Sequence, residues 1–335
     1  MKIPDSRVSV DLTAHGDPDV MRLVEEPVPS PGPGELSIAV EAAGVNFGDA
    51  LVRKGAYRKD APLSFRPGFE VAGRVLEAGP GVDQVPGTPV AAFIDDGGYS
   101  SVVTVPADRA YPMPEGMSAV TGAGMLIQGV TAHYAVHRFG RTAADETVLV
   151  HAAGGGVGTI AIQLIALAGA RAIGCASSDE KRQRALDLGA AAVIGTDPDV
   201  MRDEILASND GARVDVILDS VGGPVFRPSM AALGTGGRYV VVGAASQEAS
   251  KFDARRLMPR AQTLTGFVVA AVSQLDPAEP TVTFEWLWER LQAGELKLDI
   301  EEMPLEEVAE AHRRLESRAL TGKMVLRMPA SVTSG

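Results

Sequence analysis

Apolar positions in the first third of the chain recur at every second residue. Over 35–43 they are Leu36, Ile38 and Val40, after a turn-rich stretch at 27–34. That period turns one face of an extended segment into a core and predicts a strand. Residues 70–78 repeat it with Val71, Gly73 and Val75, and Gly79-Pro80-Gly81-Val82 ends the run in a turn. Two more short runs, 89–94 and 99–105, are separated by Asp95-Asp96-Gly97-Gly98. Short strands at close spacing with Gly and Pro between them predict a small β-barrel or sandwich.

From residue 146 the pattern changes. A β-rich run over 146–152 leads through a glycine cluster into a helical stretch at 159–167. Strand-like segments at 172–176, 191–194, 214–219 and 238–242 then alternate with helical ones at 180–188, 199–207 and 225–233. Such alternation predicts β-α-β units around a parallel sheet, so 148–243 reads as one doubly wound domain. Beyond it, 264–270 reads as strand, 282–294 and 305–317 as helices, and 323–328 as a closing strand. The C-terminal piece is too short for a core of its own and is expected to rejoin the N-terminal part. The expected domains are therefore 1–128, 129–270 and 271–335. The small, polar tail from Pro329 is expected to fray.

Composition narrows the function classes. A chain of 335 residues, 45% apolar, is long enough for two cores. Its net charge of −12 lacks the footprint of a nucleic-acid binder and opposes adhesion to anionic lipid. An anionic ligand must then be held by a local site. A single cysteine, Cys175, excludes an intrachain disulfide and a multi-thiolate metal site. The N-terminus carries Lys2, Asp5, Arg7 and Asp11 with no long apolar run, and no stretch is long enough to span a membrane. The expectation is a cytoplasmic protein.

The sharpest local signal is Val148-Leu149-Val150-His151-Ala152-Ala153-Gly154-Gly155-Gly156-Val157-Gly158. A strand ends, the chain turns tightly, and a helix begins. The unpaired amides and dipole of that helix start favour an anion, and small residues let a pyrophosphate approach the backbone. The second strand ends at Ala176, where NAD enzymes usually carry an acid for the ribose. Ser177, Ser178, Lys181 and Arg182 follow and suit a 2′-phosphate, so NADPH is the expected cofactor. Asp179 is the competing acid, placed at a helix start where capping accounts for it. Cys175, inside the strand end, reads as inert core.

The chain resembles the zinc-free quinone oxidoreductases of the medium-chain dehydrogenase/reductase superfamily over nearly its whole length. The resemblance rests on Pro31-Gly32-Pro33-Gly34-Glu35, Ala43-Gly44-Val45-Asn46-Phe47-Gly48-Asp49, Pro67-Gly68-Phe69-Glu70-Val71-Ala72-Gly73 and Gln128-Gly129-Val130-Thr131-Ala132. It also rests on Ala152, Gly155 and Gly158 with Gln163, on Asp219-Ser220-Val221-Gly222-Gly223, and on Gly322-Lys323-Met324-Val325. The resemblance implies a split GroES-like β-barrel catalytic domain, a Rossmann domain with a doubly wound parallel sheet, and an active site in the cleft between them. It implies no metal. Zinc-dependent relatives carry Cys where Asn46 stands and His where Phe69 stands, so of that set Glu70 alone remains. Without a Lewis acid, what remains is hydride delivery to an electron-poor acceptor.

On the same resemblance Asn46, Asp49 and Tyr57 are candidate catalytic residues. Asn46 would bond a carbonyl, Asp49 a water or ribose, and Tyr57 would give a proton to an enolate. Asn46 and Asp49 also read as caps of a helical turn from Phe47. Gln128, Thr131, Ala152, Gly155, Gly156, Val157, Gly158, Ser220, Val221, Gly243, Phe267, Val268 and Lys323 are candidate cofactor contacts. Where related NADPH enzymes place a Tyr after the third strand, this chain has Thr196. The implied reaction is reduction of a quinone. The alternatives are reduction of an activated C=C bond in an enone or enoyl thioester, and NADPH binding without catalysis. The expected partners are a small electrophilic acceptor and a second copy of the chain, paired along the apolar, β-prone stretch 264–269 as relatives pair it.

Overall fold

The computed structural model describes residues 3–58 and 60–329; beyond Pro329, the tail expected to fray lies outside them. By its internal contacts the chain divides into two units, Met1–Ile127 with Ile300–Gly335, and Gln128–Asp299.

The first unit is β-rich. Strands β1 (Ser6–Leu12) and β2 (Met21–Pro27) form an antiparallel pair of their own. The remaining strands build a seven-stranded sheet around β3 (Glu35–Val45). One side of β3 pairs with β4 (Glu70–Ala78), which leads on to β5 (Pro89–Phe93) and β7 (Ala110–Pro112). Its other side is shared. Residues 35–39 pair with β6 (Val102–Pro106), and 42–45 pair with β15 (Lys323–Arg327), the last strand of the chain. Register shifts at Ser37/Ile38 and Val40/Ala42 bend β3, as bulges do where a sheet curls. Leu36, Ile38 and Val40 are buried, as their alternation predicts, together with Val71, Val75, Val90 and Val103. Helix α1 (Phe47–Arg53) follows β3 directly. Its Arg53, buried, bonds the Gly16 carbonyl and pairs with Glu316 at the end of α9 (Val308–Glu316). Strand β14 (Ile300–Pro304) lies parallel to β15.

The second unit holds a six-stranded parallel sheet in the order β10-β9-β8-β11-β12-β13. The strands are β8 (Thr147–Val150), β9 (Arg171–Cys175), β10 (Ala192–Ile194), β11 (Val214–Asp219), β12 (Leu233–Val241) and β13 (Thr263–Gly266). Helices α3 (Gly156–Leu167), α4 (Asp179–Asp187), α5 (Met201–Ala207) and α6 (Phe226–Ala232) connect them in turn. The chain reverses its direction of travel across the sheet between β8 and β11, the switch point where such sheets bind ligands at their carboxyl ends. The expected doubly wound domain is therefore present, with β13 added at its edge. No helix among the described residues is long and apolar enough to cross a membrane.

Three features differ from the sequence expectation. The helix α2 (Ala119–His133), continued by a π-helical turn over Tyr134–Phe139, was not indicated by any clear period, because it is apolar on most sides. The strand expected at 264–270 stops at Gly266, and helix α7 (Val269–Leu275) takes over. Residues 271–299, expected to return with the C-terminal piece, belong to the second unit, and the return starts at Ile300. Helix α8 (Glu279–Gln292) explains this. Its Trp286 lies against His133 and His137, its Glu279 pairs with Arg138, and Lys297 beyond it exchanges hydrogen bonds with Gln163 on α3.

Candidate active site

In the second unit the glycine cluster closes the end of β8. Ala152 turns the chain through a left-handed conformation (φ 48°), and Gly155 takes the N-cap of α3 with no side chain of its own to cap the helix. The first turn, Gly156, Val157 and Gly158, carries no acid. A Cβ on Gly158 would stand 2.3 Å from the Ala152 carbonyl oxygen, so only glycine lets this turn fold back on itself. Side chains approach the other glycines, the Lys181 stem at Gly154 and Gln128 at Gly156. The result is a helix start whose first N–H groups are left for an anion. Thr131 is buried one turn beyond Gln128 on α2.

At the end of β9, Ser177 is exposed and Ser178 caps α4, accepting the Lys181 N–H. Asp179 is therefore the first helical residue and not the cap. It pairs with Arg182 (2.5 Å), whose guanidinium also donates to the Ala176 carbonyl (3.0 Å). Cys175 is buried, donates to the Gly195 carbonyl, and has its thiol pushed up to about 12 by burial, as an inert core thiol would. Thr196 is exposed.

At the end of β11, buried Asp219 organises the next turn. It accepts the Val221 and Gly222 N–H groups (2.8 and 2.9 Å) and the Tyr239 hydroxyl (2.7 Å). The Ser220 hydroxyl reaches the His151 carbonyl, and the Gly243 backbone runs against Ser220. The structure thus brings Ala152–Gly158, Ser220, Val221 and Gly243 together at the carboxyl ends of β8, β11 and β12. Phe267 stacks on Phe139 (centroids 4.6 Å apart), and Val268 is exposed.

The first unit gathers Asn46, Asp49, Tyr57 and Lys323. Asp49, on α1, is wholly enclosed. It accepts the Asn46 N–H (2.7 Å), the Gly68 N–H (2.7 Å) and the Tyr99 hydroxyl (3.0 Å). Burial pushes its carboxyl up to about 6 against the pull of those donors. It fixes the Asn46 turn and has no free face for a ligand. The Asn46 amide is held at both ends. Its Nδ2 donates to Glu70 Oε1 (2.9 Å) and its Oδ1 accepts from Lys323 Nζ (2.8 Å). Lys323 also pairs with Glu70 Oε1 (2.5 Å), while Glu70 Oε2 accepts the Ile127 N–H (2.7 Å). Glu70 is fully buried, Lys323 is 3% exposed and Asn46 8%, so Asn46 is the least enclosed of the three. Gly44 leaves the room, since a Cβ there would meet Glu70 at 2.3 Å. Tyr57, 48% exposed, lies 5.0 Å from the Phe69 ring, and burial together with Asp49 raises its hydroxyl's pKa.

Sequence reasoning named Glu70 only as the remnant of a zinc-ligand set and did not name Tyr99. The signal for Glu70 was a carboxylate directly before the small, apolar run Val71-Ala72-Gly73, with Lys323 directly before Met324-Val325-Leu326.

Residues 156–284 match the family of zinc-binding dehydrogenases, and 32–115 match the GroES-like domain of alcohol dehydrogenases. A quinone oxidoreductase of Salmonella typhimurium is 32% identical over 95% of this chain and 98% of its own. The chain belongs to the quinone oxidoreductase family of the medium-chain dehydrogenase/reductase superfamily. The Escherichia coli quinone oxidoreductase, solved in complex with NADPH, superposes with a TM-score of 0.89 at 30% identity, over 96% of this chain and 99% of that one. The CurK enoyl reductase superposes with a TM-score of 0.86 at 28% identity, over 96% and 99%. The chain also spans about 15% of the length of a mycocerosic acid synthase-like polyketide synthase from Mycolicibacterium smegmatis. It is an NADPH-dependent reductase, and the uncapped start of α3 fits a pyrophosphate.

The zinc in the matched family's name does not fit these residues. Glu70 is saturated by an ammonium, an amide and a backbone N–H, and Phe69 offers no donor atom. Among the described residues no group of three His, Cys, Asp or Glu could hold a metal. His133 and His137 do meet, with ring centroids 4.8 Å apart, but among the described residues no third ligand joins them.

The buried pair generates a stability prediction. Lys323→Met leaves Glu70 enclosed without its cation, which should cost about 3–5 kcal/mol. Lys323→Met with Glu70→Gln removes both charges and should recover most of that loss. Urea unfolding of the two variants checks this, and equal stability of the single variant and the wild type would refute it.

Proposed function

We propose that this chain is a zinc-independent reductase that passes hydride from NADPH to a quinone. The observation that carries the reading is the Asn46–Glu70–Lys323 cluster: a buried ammonium and a clamped amide occupy the position where zinc-dependent relatives keep ligands. NADPH, when bound, supplies the hydride. Gly155, Gly156, Val157 and Gly158, with Ala152, would hold its pyrophosphate on the first N–H groups of α3. Gln128, Thr131, Ser220, Val221, Gly243, Phe267 and Val268 would line the rest. Ser177, Ser178 and Lys181 would take the 2′-phosphate. Arg182 already pairs with Asp179, and the Lys181 stem lies against Gly154 of the glycine loop.

The same cluster orders what the acceptor would feel. Lys323 on Oδ1 draws electron density from the Asn46 amide and strengthens its Nδ2 protons as donors. Its contact to the Gly44 carbonyl is long, 3.5 Å, and an acceptor oxygen would compete with that carbonyl for the amide. As charge grows on that oxygen, a pre-aimed donor backed by a fixed cation stabilises it without reorganisation. A quinone needs little more, since its product is stabilised without an added electrophile.

A second reading, reduction of a conjugated C=C bond, is favoured by Tyr57. Its hydroxyl belongs to a half-exposed ring beside Phe69, and a proton donor is what an enolate requires. The similarity to the CurK enoyl reductase supports the same alternative.

The two readings separate kinetically. Asn46→Ala should lower turnover of an enone by about 100- to 1000-fold and that of a quinone by less. Tyr57→Phe should slow the enone reaction alone. Turnover of both variants on one quinone and one enone at saturating NADPH decides; wild-type rates throughout would remove this cluster from the active site. Lys181→Ala should raise the NADPH Michaelis constant about ten- to a hundredfold, the worth of a charge-assisted bond, and leave NADH unchanged.

We also propose a homodimer along β13. This strand is the sheet's edge, its side chains are largely exposed, and Val268 beyond it is 61% exposed. Light scattering at micromolar concentration should give about twice the 34.9 kDa of one chain, and the single-chain mass would count against it.

A further inference from the structure

Six cations and one carboxylate line a cavity of about 800 Å3 that lies within the second unit. The cations are Arg202 on α5, Arg213 just before β11, Arg227 on α6, and Lys251, Arg256 and Arg260 in the segment after β12. The carboxylate, Asp253, is already bound by Arg255 through Nε (3.0 Å) and Nη2 (2.7 Å). Arg202 has the exposed Asp203 for a partner, and Arg213 donates to the Ala231 carbonyl. Arg227, Lys251, Arg256 and Arg260 form no ion pair with a carboxylate among the described residues.

This grouping is unusual in a chain whose net charge is −12. Like charges gathered around one space repel, and screening by salt weakens but does not reverse that. The strain is visible at Arg213, whose guanidinium is held below its ordinary pKa by partial desolvation and by Arg260 and Arg202 beside it. The floor has the opposite character. Phe226 and Met230 are buried, and Phe252 stands edge-on to Phe226 with centroids 5.5 Å apart. None of the candidate NADPH residues lines this cavity.

An apolar, aromatic floor under a rim of unpaired guanidinium groups matches one kind of ligand. The rim suits phosphate oxygens, which guanidinium forks bind in pairs, and the floor suits a flat ring. The volume lies in the range of small-molecule sites. We propose that this cavity binds a diphosphate ester carrying an aromatic ring, at a second site separate from the NADPH loop. The proposal does not depend on which acceptor the enzyme reduces.

The test uses ADP as the ester and inorganic pyrophosphate as the same charge without a ring. Each is titrated calorimetrically into protein saturated with NADPH, with the fluorescence of bound NADPH followed in parallel. ADP should bind at one further site without loss of that fluorescence. Pyrophosphate should bind at least tenfold more weakly. In the double variant Arg227→Ala, Arg256→Ala, both exposed and unpaired, ADP should bind at least tenfold more weakly while NADPH binds as before, which also reports an intact fold. The proposal is overturned if ADP gives no heat or releases NADPH. It is equally overturned if pyrophosphate matches ADP, or if the double variant binds ADP as the wild type does.

Discussion

A lysine ammonium enclosed beside a carboxylate is tolerable only when both partners and their remaining donors and acceptors are satisfied together. In this chain that condition joins four distant segments. Asn46 comes from the end of β3, Glu70 from the start of β4, the Ile127 N–H from α2, and Lys323 from the start of β15. The C-terminal strand is therefore more than a cover for an open edge. Until it docks, Glu70 would lack its cation, one of its three partners. The return of the chain to its first unit and the chemistry of the candidate site are one requirement.

Two other buried carboxylates solve a related problem in the same way. Asp49 accepts two backbone N–H groups and the Tyr99 hydroxyl; Asp219 accepts two backbone N–H groups and the Tyr239 hydroxyl. Each fixes a turn that presents other residues, Asn46 in one case and Ser220 with Val221 in the other. Neither has an oxygen to spare for proton transfer to a ligand. An acid in a family motif is easily read as an acid–base group, but the hydrogen bonds here make both of them holders of backbone.

How much of this was legible in the sequence follows from what each signal depends on. The glycine loop was legible because its requirement is local: Gly158 is excluded from any larger residue by the Ala152 carbonyl six residues away. The parallel sheet was legible because strands and helices alternate in period as well as in position. The helix α2 was not, since it is apolar nearly all round; of the β1–β2 hairpin only β1 carries a period, Val8, Val10 and Leu12 between Arg7, Ser9 and Asp11, and β2 does not continue it. The boundary at Ile300 was hidden because it depends on Trp286, Glu279 and Lys297 finding partners at His133, Arg138 and Gln163. The sequence singled out Asn46 but not its clamp, because Lys323 is 277 residues away.

The acidity of the chain sharpens the meaning of its few concentrated cations. With carboxylates in excess, a basic side chain on the surface usually finds a partner, and Arg182 shows it: Asp179, one helical turn away, binds it and removes it from competition for a phosphate. A phosphate placed after β9 would therefore meet a guanidinium that already has a carboxylate partner. The Lys181 stem lies across Gly154, beside the glycine loop. The same logic applies where α5, α6 and the segment after β12 meet. There the carboxylates that are present are already taken, and the cations that remain face a cavity and not a neighbour. In an acidic protein, positive charge left unpaired in this way is costly to keep, which makes it the clearest mark of a place where an anion is expected.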